Sequence, residues 1–519
     1  MKRNLNLLKN INLINQYKLN KFNFIYQANI DKQNIKSNIY SNYNKCFFST
    51  SNNSNSLIDT DVIIIGGGVV GLSIANGLKS ANITDNIILI DQSNDILDLN
   101  NYKYKKDRIP EIRNVSLTSN SVNYFKAINT FQNLDERILT YVKEMQIWEN
   151  KGSSFMNIKS DKFENNYISC MIELNNLLCS LQNSKHMNGI KKINIKLSSN
   201  NFDIKNNKDY CLFTIKDNID NKLNSNYISS TTYRTKLLII SDGPKSLVRT
   251  KLNIPVTGYD YNETGLVCTL KANKNNFVSF QRFLHEGIFA LLPMYDNYFS
   301  IVSSMPKEIN EKLKNLKDEE FINFVNNLLH SRSNINSKSF NSITSLLDNL
   351  NYLNPFLNNN NNFCNPPIIE SVISPRLTFP LQVQYVDSNV PKLNNTTNII
   401  VVGDSAHAIH PMAGQGLNLG IADSALLINA LAIGKKEGKR INNSEILIDK
   451  FEFKANINTK SMIMGQEIIK GFYKSNNNLF SGLRNLGIGI LNSSNSLKKV
   501  LTGLANGELV YPKIYEWKK

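Results

Sequence analysis

The sequence DVIIIGGGVVG, residues 61–71, decides the fold of this chain. It predicts a buried strand over 61–65, a tight glycine turn, and an apolar helix from Leu72 to about Leu78. A second apolar strand follows at 87–90. Strand, G-x-G-x-x-G turn, helix and strand together form the unit that binds the ADP half of a dinucleotide.

The glycines, and the acid after the second strand, explain this prediction chemically. Gly66 permits the turn, Gly68 lets the backbone approach a pyrophosphate, and Gly71 allows the helix to pack closely. Asp91 follows about twenty residues later, where the motif has the acid that binds an adenosine ribose. The pattern does not distinguish FAD from NAD.

A second glycine-rich stretch lies late in the chain, VGDSAHAIHPMAGQGLNLGIAD at residues 402–423. It predicts a strand over 399–402 that ends in Gly-Asp, then a turn, then a helix that opens near Gly416 or Leu417. The free N–H groups of such a helix start can bind an anion or a polar ring edge. The stretch therefore predicts contact with a bound cofactor.

This late stretch has two other interpretations, of which the metal site is the weaker. Its glycines and acid could serve only the turn, or Asp404, His407 and His410, spaced three residues apart, could bind a metal. Zinc needs three or four ligands on rigid elements, and Pro411 interrupts the helix that would carry them. We therefore predict no metal.

A third turn of the same kind is SDGPKSLVR, residues 241–249. An apolar strand, an Asp-Gly turn and a helix capped near Ser246 allow the Asp242 carboxylate and backbone N–H groups to face a sugar or phosphate. Alone the pattern could be only a tight turn. Together with the other two glycine motifs it indicates a shared nucleotide site.

Length, charge and cysteine usage limit the class of protein. A chain of 519 residues can form more than one lobe. Its net charge is +17, but the basic residues are scattered and no nucleic-acid-binding motif stands out, so we predict no nucleic-acid partner.

The six cysteines show neither a C-x-x-C pair nor zinc spacing, which indicates free thiols. No apolar run approaches the ~20 residues of a membrane span, so any membrane contact is predicted to be peripheral.

Residues 1–56 are predicted to be a mitochondrial presequence, or transit peptide. Five basic residues precede the first acid, Asp31, and apolar residues lie among them at helix-like spacing. A disordered, Asn-rich extension is the alternative.

Periodicity predicts further elements between the motifs. Helices are expected at 121–128, 134–141, 172–181 and 319–329. Strands of an antiparallel meander are expected at 192–197, 210–216 and 231–240, and strands of a second sheet at 265–271 and 278–303. The second sheet is expected to carry few ionisable groups. A largely apolar sheet would fit an apolar aromatic substrate, or it could be an ordinary hydrophobic core.

The C-terminal tail is predicted to alternate amphipathic helices with loops. Its lysines, including Lys470 and Lys474, lie among apolar residues such as Phe472. Such a mixture can rest on an anionic membrane surface or pack onto the main body, and the sequence does not choose between them.

The three glycine motifs together resemble the p-hydroxybenzoate hydroxylase type of FAD-dependent aromatic-ring monooxygenases. They match in the family's order: G-x-G-x-x-G at 66–71, D-G-x-x-S-x-V-R at 242–249, and G-D-x-A-H-x-x-x-P at 403–411. Within that family, five more motifs are similar to the mitochondrial hydroxylases of ubiquinone biosynthesis. They are MQIW (145–148), QRFL (281–284), ALLP (290–293), FPL (379–381) and AGQGLNLG (413–420).

The resemblance runs from about residue 61 to the C-terminus and implies an α/β fold. A Rossmann-like FAD-binding domain would be intertwined with an α+β substrate domain that carries a mixed or antiparallel sheet, followed by C-terminal helices. The expected boundaries are 1–56 for the presequence, 57–254 and 376–431 for the two parts of the FAD-binding domain, 255–375 for the substrate domain and 432–519 for the C-terminal helical region. Departures from the family pattern, at Cys170, Met171, Ile288 and Ser303, leave the substrate contacts undetermined.

The resemblance also assigns cofactor contacts residue by residue. Gly66, Gly68, Gly71 and Asp91 would hold the ADP part of FAD, and Arg113 would contact the flavin or its phosphates. Asp404 would bind the ribityl chain, Asp242 would support the pyrophosphate region, and the remaining expected contacts are Gly403, Gly414, Gly416, Leu417 and Asn418. The chemistry would belong to the flavin. His407 or His410 could assist substrate deprotonation, although a structural role in the turn is the stronger interpretation.

The family's reaction is hydroxylation of an electron-rich phenol by O2 through a flavin C4a-hydroperoxide, which the protein protects from water. The resemblance implies C5-hydroxylation of a polyprenylated 4-hydroxybenzoate-type ring, or of the related polyprenyl phenol, with electrons from a mitochondrial ferredoxin. It further implies peripheral attachment to the matrix side of the inner membrane within a ubiquinone-biosynthesis complex. The alternatives are another flavin hydroxylase or epoxidase that uses NAD(P)H on a different aromatic or lipid substrate, and a catalytically silent flavoprotein scaffold.

Overall fold

The computed structural model describes residues 56–93, 96–149, 155–160, 166–216, 230–330, 363–411, 414–474 and 515–518. The predicted presequence, the Asn-rich patch at 358–362 and residues 475–514 of the C-terminal tail lie outside the described residues.

The described strands, in chain order, are β1 (Ser56–Ile65), β2 (Ile87–Asp91), β3 (Asn114–Thr118), β4 (Thr140–Val142), β5 (Glu144–Glu149), β6 (Phe155–Lys159), β7 (Ser169–Glu173), β8 (Lys191–Asn194), β9 (Phe202–Asn206), β10 (Cys211–Lys216), β11 (Ser230–Ile240), β12 (Val256–Ala272), β13 (Val278–Phe283), β14 (Ile288–Pro293), β15 (Tyr298–Pro306), β16 (Ile369–Val372), β17 (Leu377–Val386), β18 (Ile399–Val401) and β19 (His407–Ala408). The α-helices are α1 (Val69–Ser80), α2 (Ser119–Ala127), α3 (Leu174–Gln182), α4 (Leu247–Lys251), α5 (Lys307–Asn315), α6 (Asp318–His330), α7 (Gln415–Lys436) and α8 (Phe453–Lys474). A π-helical turn, Ile446–Glu452, leads into α8.

The first glycine motif sits in a seven-stranded sheet with the order β8-β2-β1-β11-β10-β9, and β18 pairs with β11. β1 runs parallel to β2 and β11, as a dinucleotide-binding fold requires. Ile64 and Val62 face a core that includes α1 and α7, whereas Ile63 and Ile65 face a second core on the other side of the sheet. Burial on both faces explains why this strand reads as an unbroken apolar run.

A nine-stranded sheet has the order β19-β17-β12-β15-β14-β13-β5-β6, with β16 paired to β12. The sequence predicts few ionisable groups here, and two of them, Glu263 and Arg282, are buried. The Arg282 guanidinium donates a hydrogen bond to the Leu328 carbonyl of α6, and burial lowers its pKa to about 10. This sheet is therefore more polar inside than its sequence suggests.

The late motif connects the two large sheets. β18 belongs to the first sheet, and β19, six residues further on, pairs with β17 of the second sheet. The turn between them, which contains Gly403 and Asp404, therefore lies where the two sheets meet.

Three secondary-structure predictions were wrong. Residues 134–141 form a short 3-10 turn and the start of β4, and residues 172–173 belong to β7 before α3 begins. β8 was expected in an antiparallel meander, but it is the parallel edge strand beside β2. β4 and β7 join β3 in a small third sheet. Strand order depends on contacts far apart in the chain, which a local pattern does not contain.

α7 corrects the prediction that no segment is apolar enough to span a bilayer. It has 22 residues and a mean hydropathy of 1.5 over its most apolar window, and is the one such helix among the described residues. However, 83% of that window is buried inside the protein. α7 is thus a central core helix packed against α1.

The free-thiol prediction is confirmed for the five described cysteines. Burial raises the pKa of Cys170, Cys211 and Cys268 to about 12. These thiols stay protonated at neutral pH and act as small apolar core residues.

Candidate functional site

The first and third glycine turns touch each other. The Ser241 hydroxyl and backbone N–H both donate to the Ile65 carbonyl, each at 2.8 Å. Gly66 has a φ of +102°, and a Cβ atom there would overlap the Ser241 carbonyl. Only glycine fits this crossing of two strand ends.

The third turn also holds the late turn, through Ser405. The Ser405 hydroxyl donates to the Asp242 carboxylate at 3.1 Å, and the Gly243 N–H donates to that hydroxyl at 2.8 Å. The Arg249 guanidinium donates to the Ser405 carbonyl at 2.5 Å. Asp242 accepts in addition from the first N–H groups of α4, including that of Leu247 at 3.1 Å. Its carboxylate therefore organises the protein at this corner.

The late turn also contacts the first glycine turn, through Val70, the second residue of α1. A Cβ atom at Gly403 would lie 3.0 Å from the Val70 side chain, and one at Gly420 would lie 2.8 Å from it. A Cβ atom at Gly71 would overlap the Gly66 carbonyl. The three motifs, separated by up to about 340 residues in sequence, thus meet at one point with the close backbone packing of a cofactor-binding edge.

An open region begins at the start of α1. Among the described residues, a Cβ atom at Gly68 would meet no atom within 4 Å, and no side chain caps the helix N-terminus. The Asp91 carboxylate at the end of β2 lies beside Gly67, where a Cβ atom would be 2.9 Å from it. Free N–H groups beside open space fit a pyrophosphate, and the nearby carboxylate fits a ribose.

Arg113 lies immediately before β3 and is exposed. Within the described ranges, no carboxylate forms an ion pair with it. A Cβ atom at Gly414 would lie 3.5 Å from Ser116 of β3, so the strand that Arg113 precedes borders the start of α7. The guanidinium is available to an anionic ligand.

Asp404 lies in a 3-10 turn, Gly403–Ser405, and its side chain is accessible although protein surrounds it on most sides. Burial raises the pKa of this carboxyl and the Asp423 carboxylate adds to the shift, while His407 opposes it. Among the residues that the structure describes, none donates a hydrogen bond to it. An accessible acceptor of this kind fits a ligand hydroxyl.

The start of α7 completes the candidate site. Gly414 has a φ of +66°, and within the described part of the chain no side chain caps the helix, which leaves its first N–H groups available to a ligand. Gly416 and Leu417 are partly exposed beside it. Asn418 is instead fully used within the protein: its amide accepts from Thr118 and Ser121 and donates to the carbonyls of Ser116 and Gly414, at 2.7–3.1 Å. It holds α7 against β3.

These groups fit FAD. An open helix start and an acid suit the ADP half, an exposed guanidinium suits a phosphate, and an accessible carboxylate with a second free helix start suits the ribityl chain and a polar ring edge.

His407 has a structural position. It is 2% exposed, and its Nε2 lies 2.7 Å from the Asp423 carboxylate, which also accepts the Gly403 N–H at 2.9 Å. Burial alone would lower the pKa of His407, but Asp423 outweighs it and the pKa is raised. The pair fixes the turn that carries Asp404.

His410 belongs to a different cluster, on the second sheet. Its Nε2 lies 3.4 Å from the Glu263 carboxylate of β12, and Lys470 of α8 reaches the same carboxylate at 2.8 Å. All three side chains line a cavity of about 30 Å³, which is enough for one or two waters. A groove of about 1080 Å³, also lined by Glu263, leads to the surface.

Sequence reasoning missed Ser405, Asp423 and Glu263, and it missed the pairing of Lys470 with Glu263. Ser405 stood inside the quoted motif at a position that the motif leaves free. Asp423 is the last residue of the same stretch. The spacing does not show that, in the folded chain, the first turns of α7 place Asp423 beside His407. Glu263 and Lys470 are 207 residues apart, and no local pattern joins them.

Comparison with known proteins decides the family. A model described as an FAD binding domain matches residues 373–442. The mitochondrial ubiquinone biosynthesis monooxygenase COQ6 of Dictyostelium discoideum is 30% identical over 90% of this chain and 96% of its own length. That of Schizosaccharomyces pombe is 31% identical over 86% and 92%. The chain belongs to the mitochondrial ubiquinone-biosynthesis monooxygenase family. The predictions of family, FAD cofactor and monooxygenase class are confirmed.

Solved structures confirm the fold class of this ubiquinone-biosynthesis monooxygenase. The p-nitrophenol 4-monooxygenase PnpA from Pseudomonas putida matches with a TM-score of 0.58 and 14% identity, over 87% of this chain and 99% of that one. The anhydrotetracycline hydroxylase OxyS from Streptomyces rimosus matches with a TM-score of 0.57 and 14% identity, over 88% and 77%. At this identity the likeness concerns the fold alone.

Proposed function

We propose that this monooxygenase hydroxylates ring carbon 5 of a polyprenylated 4-hydroxybenzoate-type or 2-methoxy-6-polyprenylphenol-type substrate. The observation that carries the proposal is the meeting of three glycine turns around an open cradle, in a chain of this family. Bound FAD supplies the activation of O2 there. The chain binds the cofactor, orients the phenol ring beside it and excludes water.

The cofactor contacts in this proposal divide by position. Gly66, Gly68, Gly71 and Asp91 hold the ADP half, and Arg113 neutralises a phosphate. Asp404 accepts from the ribityl hydroxyls, and Gly414, Gly416 and Leu417 approach the flavin ring. Gly403, Asp242 and Asn418 position the turns that carry these contacts. His407 is placed in the same supporting role.

The domain boundaries belong to the same proposal. Residues 57–254 and 376–431 form the FAD-binding domain, 255–375 the substrate domain and 432–519 the C-terminal helical region. The position of β18 in the first sheet and β19 in the second supports an intertwined arrangement. Residues 1–56 act as the presequence.

The proposal is tested with the purified yellow protein, a short-tailed polyprenyl phenol and ¹⁸O2, with reduced ferredoxin or, separately, NADPH as the electron donor, so that one oxygen atom enters the ring and the other leaves as water. The expected result is a product with one labelled oxygen at carbon 5, formed at least about tenfold more slowly by an Asp404→Ala variant. Product at another carbon would indicate a different hydroxylase of the same class. A protein that retains FAD but never forms product would support the scaffold alternative.

A mitochondrial ferredoxin and its reductase supply the electrons in this proposal, and the support is the resemblance of the motifs. The test is anaerobic bleaching of the flavin absorbance by reduced ferredoxin, compared with NADPH alone. Rapid bleaching by NADPH alone would contradict it.

The protein works at the matrix side of the inner membrane, as a peripheral member of a ubiquinone-biosynthesis complex. The mitochondrial names of the relatives and the lipid nature of the substrate support this location. Carbonate extraction combined with protease protection in mitoplasts tests it. A protein that is digested in intact mitoplasts would contradict the matrix location.

A further inference from the structure

One face of α8 is apolar and exposed. Phe453, Ile457, Met464 and Ile468 have exposed fractions of 64, 43, 66 and 48%. Their spacing places them on one side of the helix, in a row about 22 Å long, which we call the apolar stripe. Soluble surfaces rarely carry such a continuous row of large apolar side chains unless it binds something.

Residues outside the apolar stripe anchor α8 to the protein by polar contacts. The Gln466 amide donates to the His410 carbonyl at 3.1 Å, and Lys470 pairs with Glu263 at 2.8 Å. Tyr261 donates to the Glu467 carboxylate at 2.5 Å. These contacts fix the rotation of the helix, so the outward position of the apolar stripe is a property of the fold.

The charged residues beside the apolar stripe indicate what kind of surface it binds. Lys454 and Lys460 are exposed on its two sides, and the exposed residues from 453 to 471 include no acid. A paired helix would need apolar residues to continue the row, but Lys460 and Gly471 occupy those positions. Large apolar side chains flanked by lysines match a helix that lies in the interface of an anionic bilayer.

We propose that the apolar stripe of α8 docks the enzyme on an anionic phospholipid bilayer. This inference rests on the proposed function, in which the substrate's polyprenyl tail is dissolved in that bilayer. Gln466 binds the His410 carbonyl, and His410 lies between the turn that carries Asp404 and the start of α7, so the docked helix borders the candidate site. Docking therefore brings the site to the lipid phase that contains its substrate.

The test is co-sedimentation of the purified FAD-loaded protein with phosphatidylcholine vesicles, with and without cardiolipin. Replacing Ile457→Gln together with Met464→Gln is expected to weaken binding by about tenfold or more, because two apolar side chains no longer enter the interface. The matched control, Ile96→Gln with Ile368→Gln, removes isoleucines that are 70 and 46% exposed elsewhere and should bind like the wild type. Every protein carries the same residues 1–55, so a difference between variants reports on the changed residues.

A second pair separates charge from apolar contact. Lys454→Gln with Lys460→Gln is expected to weaken binding to cardiolipin vesicles only, and high salt should remove this difference. Equal binding by the wild type and the Ile457→Gln, Met464→Gln variant would overturn the proposal. A dimer that this variant converts to monomer, with vesicle binding unchanged, would overturn it too and identify a self-association surface.

Flavin content and hydroxylation of a short-tailed, water-soluble phenol are measured in the same preparations. Both are expected to be unchanged in all variants, because none of these residues lies in the cofactor cradle. A wild type that binds vesicles but hydroxylates nothing would contradict the proposed function and leave the docking result standing.

Discussion

At the scale of single residues, Asp404 is the carboxylate that the protein leaves for a ligand. The protein surrounds it and raises its pKa, yet no described residue donates to it. A carboxylate that is partly desolvated, has no described donor and remains accessible is expected to accept hydrogen bonds from the cofactor.

Asp404→Ala is therefore expected to weaken FAD binding by about 10- to 100-fold, the loss of one or two hydrogen bonds to a charged group. Equilibrium dialysis of FAD against the apoprotein measures it. Glu319→Gln, at an exposed acid on α6, is the matched control and should bind FAD normally. An Asp404→Ala protein with wild-type affinity would remove this residue from the site.

His407 contributes to stability in a pH-dependent way. Its pKa in the folded protein is raised above 6.5 by Asp423, which outweighs the opposing effect of burial. The stabilisation is therefore fully present below about pH 6.5 and is lost as pH rises through the folded pKa. We expect His407→Gln to reduce the free energy of unfolding most at about pH 6 and least at about pH 9, as measured by urea denaturation.

His330 is a control of opposite sign for that experiment. Burial lowers its pKa, so its stabilisation is lost as pH falls below about 6.5. If His407→Gln and His330→Gln gave the same pH trend, the Asp423 pairing would not explain the behaviour of His407.

At the scale of elements, two glycines of the first turn are expected to have different roles, one in packing and one in cofactor binding. A Cβ atom at Gly71 would overlap the Gly66 carbonyl, whereas one at Gly68 would point into open space. Gly71→Ala is expected to lower both the melting temperature and FAD affinity, with a destabilisation of about 1–3 kcal/mol. Gly68→Ala should keep a melting temperature near that of the wild-type apoprotein and lose FAD affinity alone. Equal effects of the two changes on the apoprotein would argue against this division.

The contact of α8 with β12 is testable by a double-mutant cycle. Lys470→Met alone leaves the Glu263 carboxylate buried with its ion pair broken, which costs about 3 kcal/mol or more. Adding Glu263→Gln should recover part of this loss, giving a coupling of about 1–3 kcal/mol in chemical denaturation. The solvent-exposed ion pair of Lys439 and Glu445 is the matched control and should show a much smaller coupling, because water screens it. Independent effects of Lys470 and Glu263 would mean that their ion pair does not anchor α8.

Elements with a local signal were predictable, and elements defined by distant partners were not. The strand, glycine turn and helix at the start of the fold show in sequence because apolar runs and turn residues are adjacent. β8 was assigned to the wrong neighbours because its pairing with β2 depends on the path of some hundred intervening residues. Glu263 was overlooked because what makes it unusual, burial against Lys470, exists only in the folded chain.

At the scale of the whole molecule, the cofactor cradle is made from turns that lie far apart in sequence and close together in space. Ser241, Ser405 and Val70 each contact a neighbouring turn. A ligand that touches all three turns is expected to bind the folded state only. FAD should therefore stabilise the entire fold, and its release and global unfolding should be linked.

The free energy of unfolding is expected to rise by about 2.7 kcal/mol when free FAD is 100 times its dissociation constant. Thermal unfolding of the apoprotein over a series of FAD concentrations measures this, with flavin fluorescence followed alongside circular dichroism. Both signals should change in one transition, because the turns that hold FAD are the same contacts that join the two sheets. Gly71→Ala, which disturbs that junction, should show a much smaller rise at the same FAD concentrations. If flavin were released well before the sheets unfold in the wild type, FAD would contact only one of the three turns and the shared cradle would be wrong.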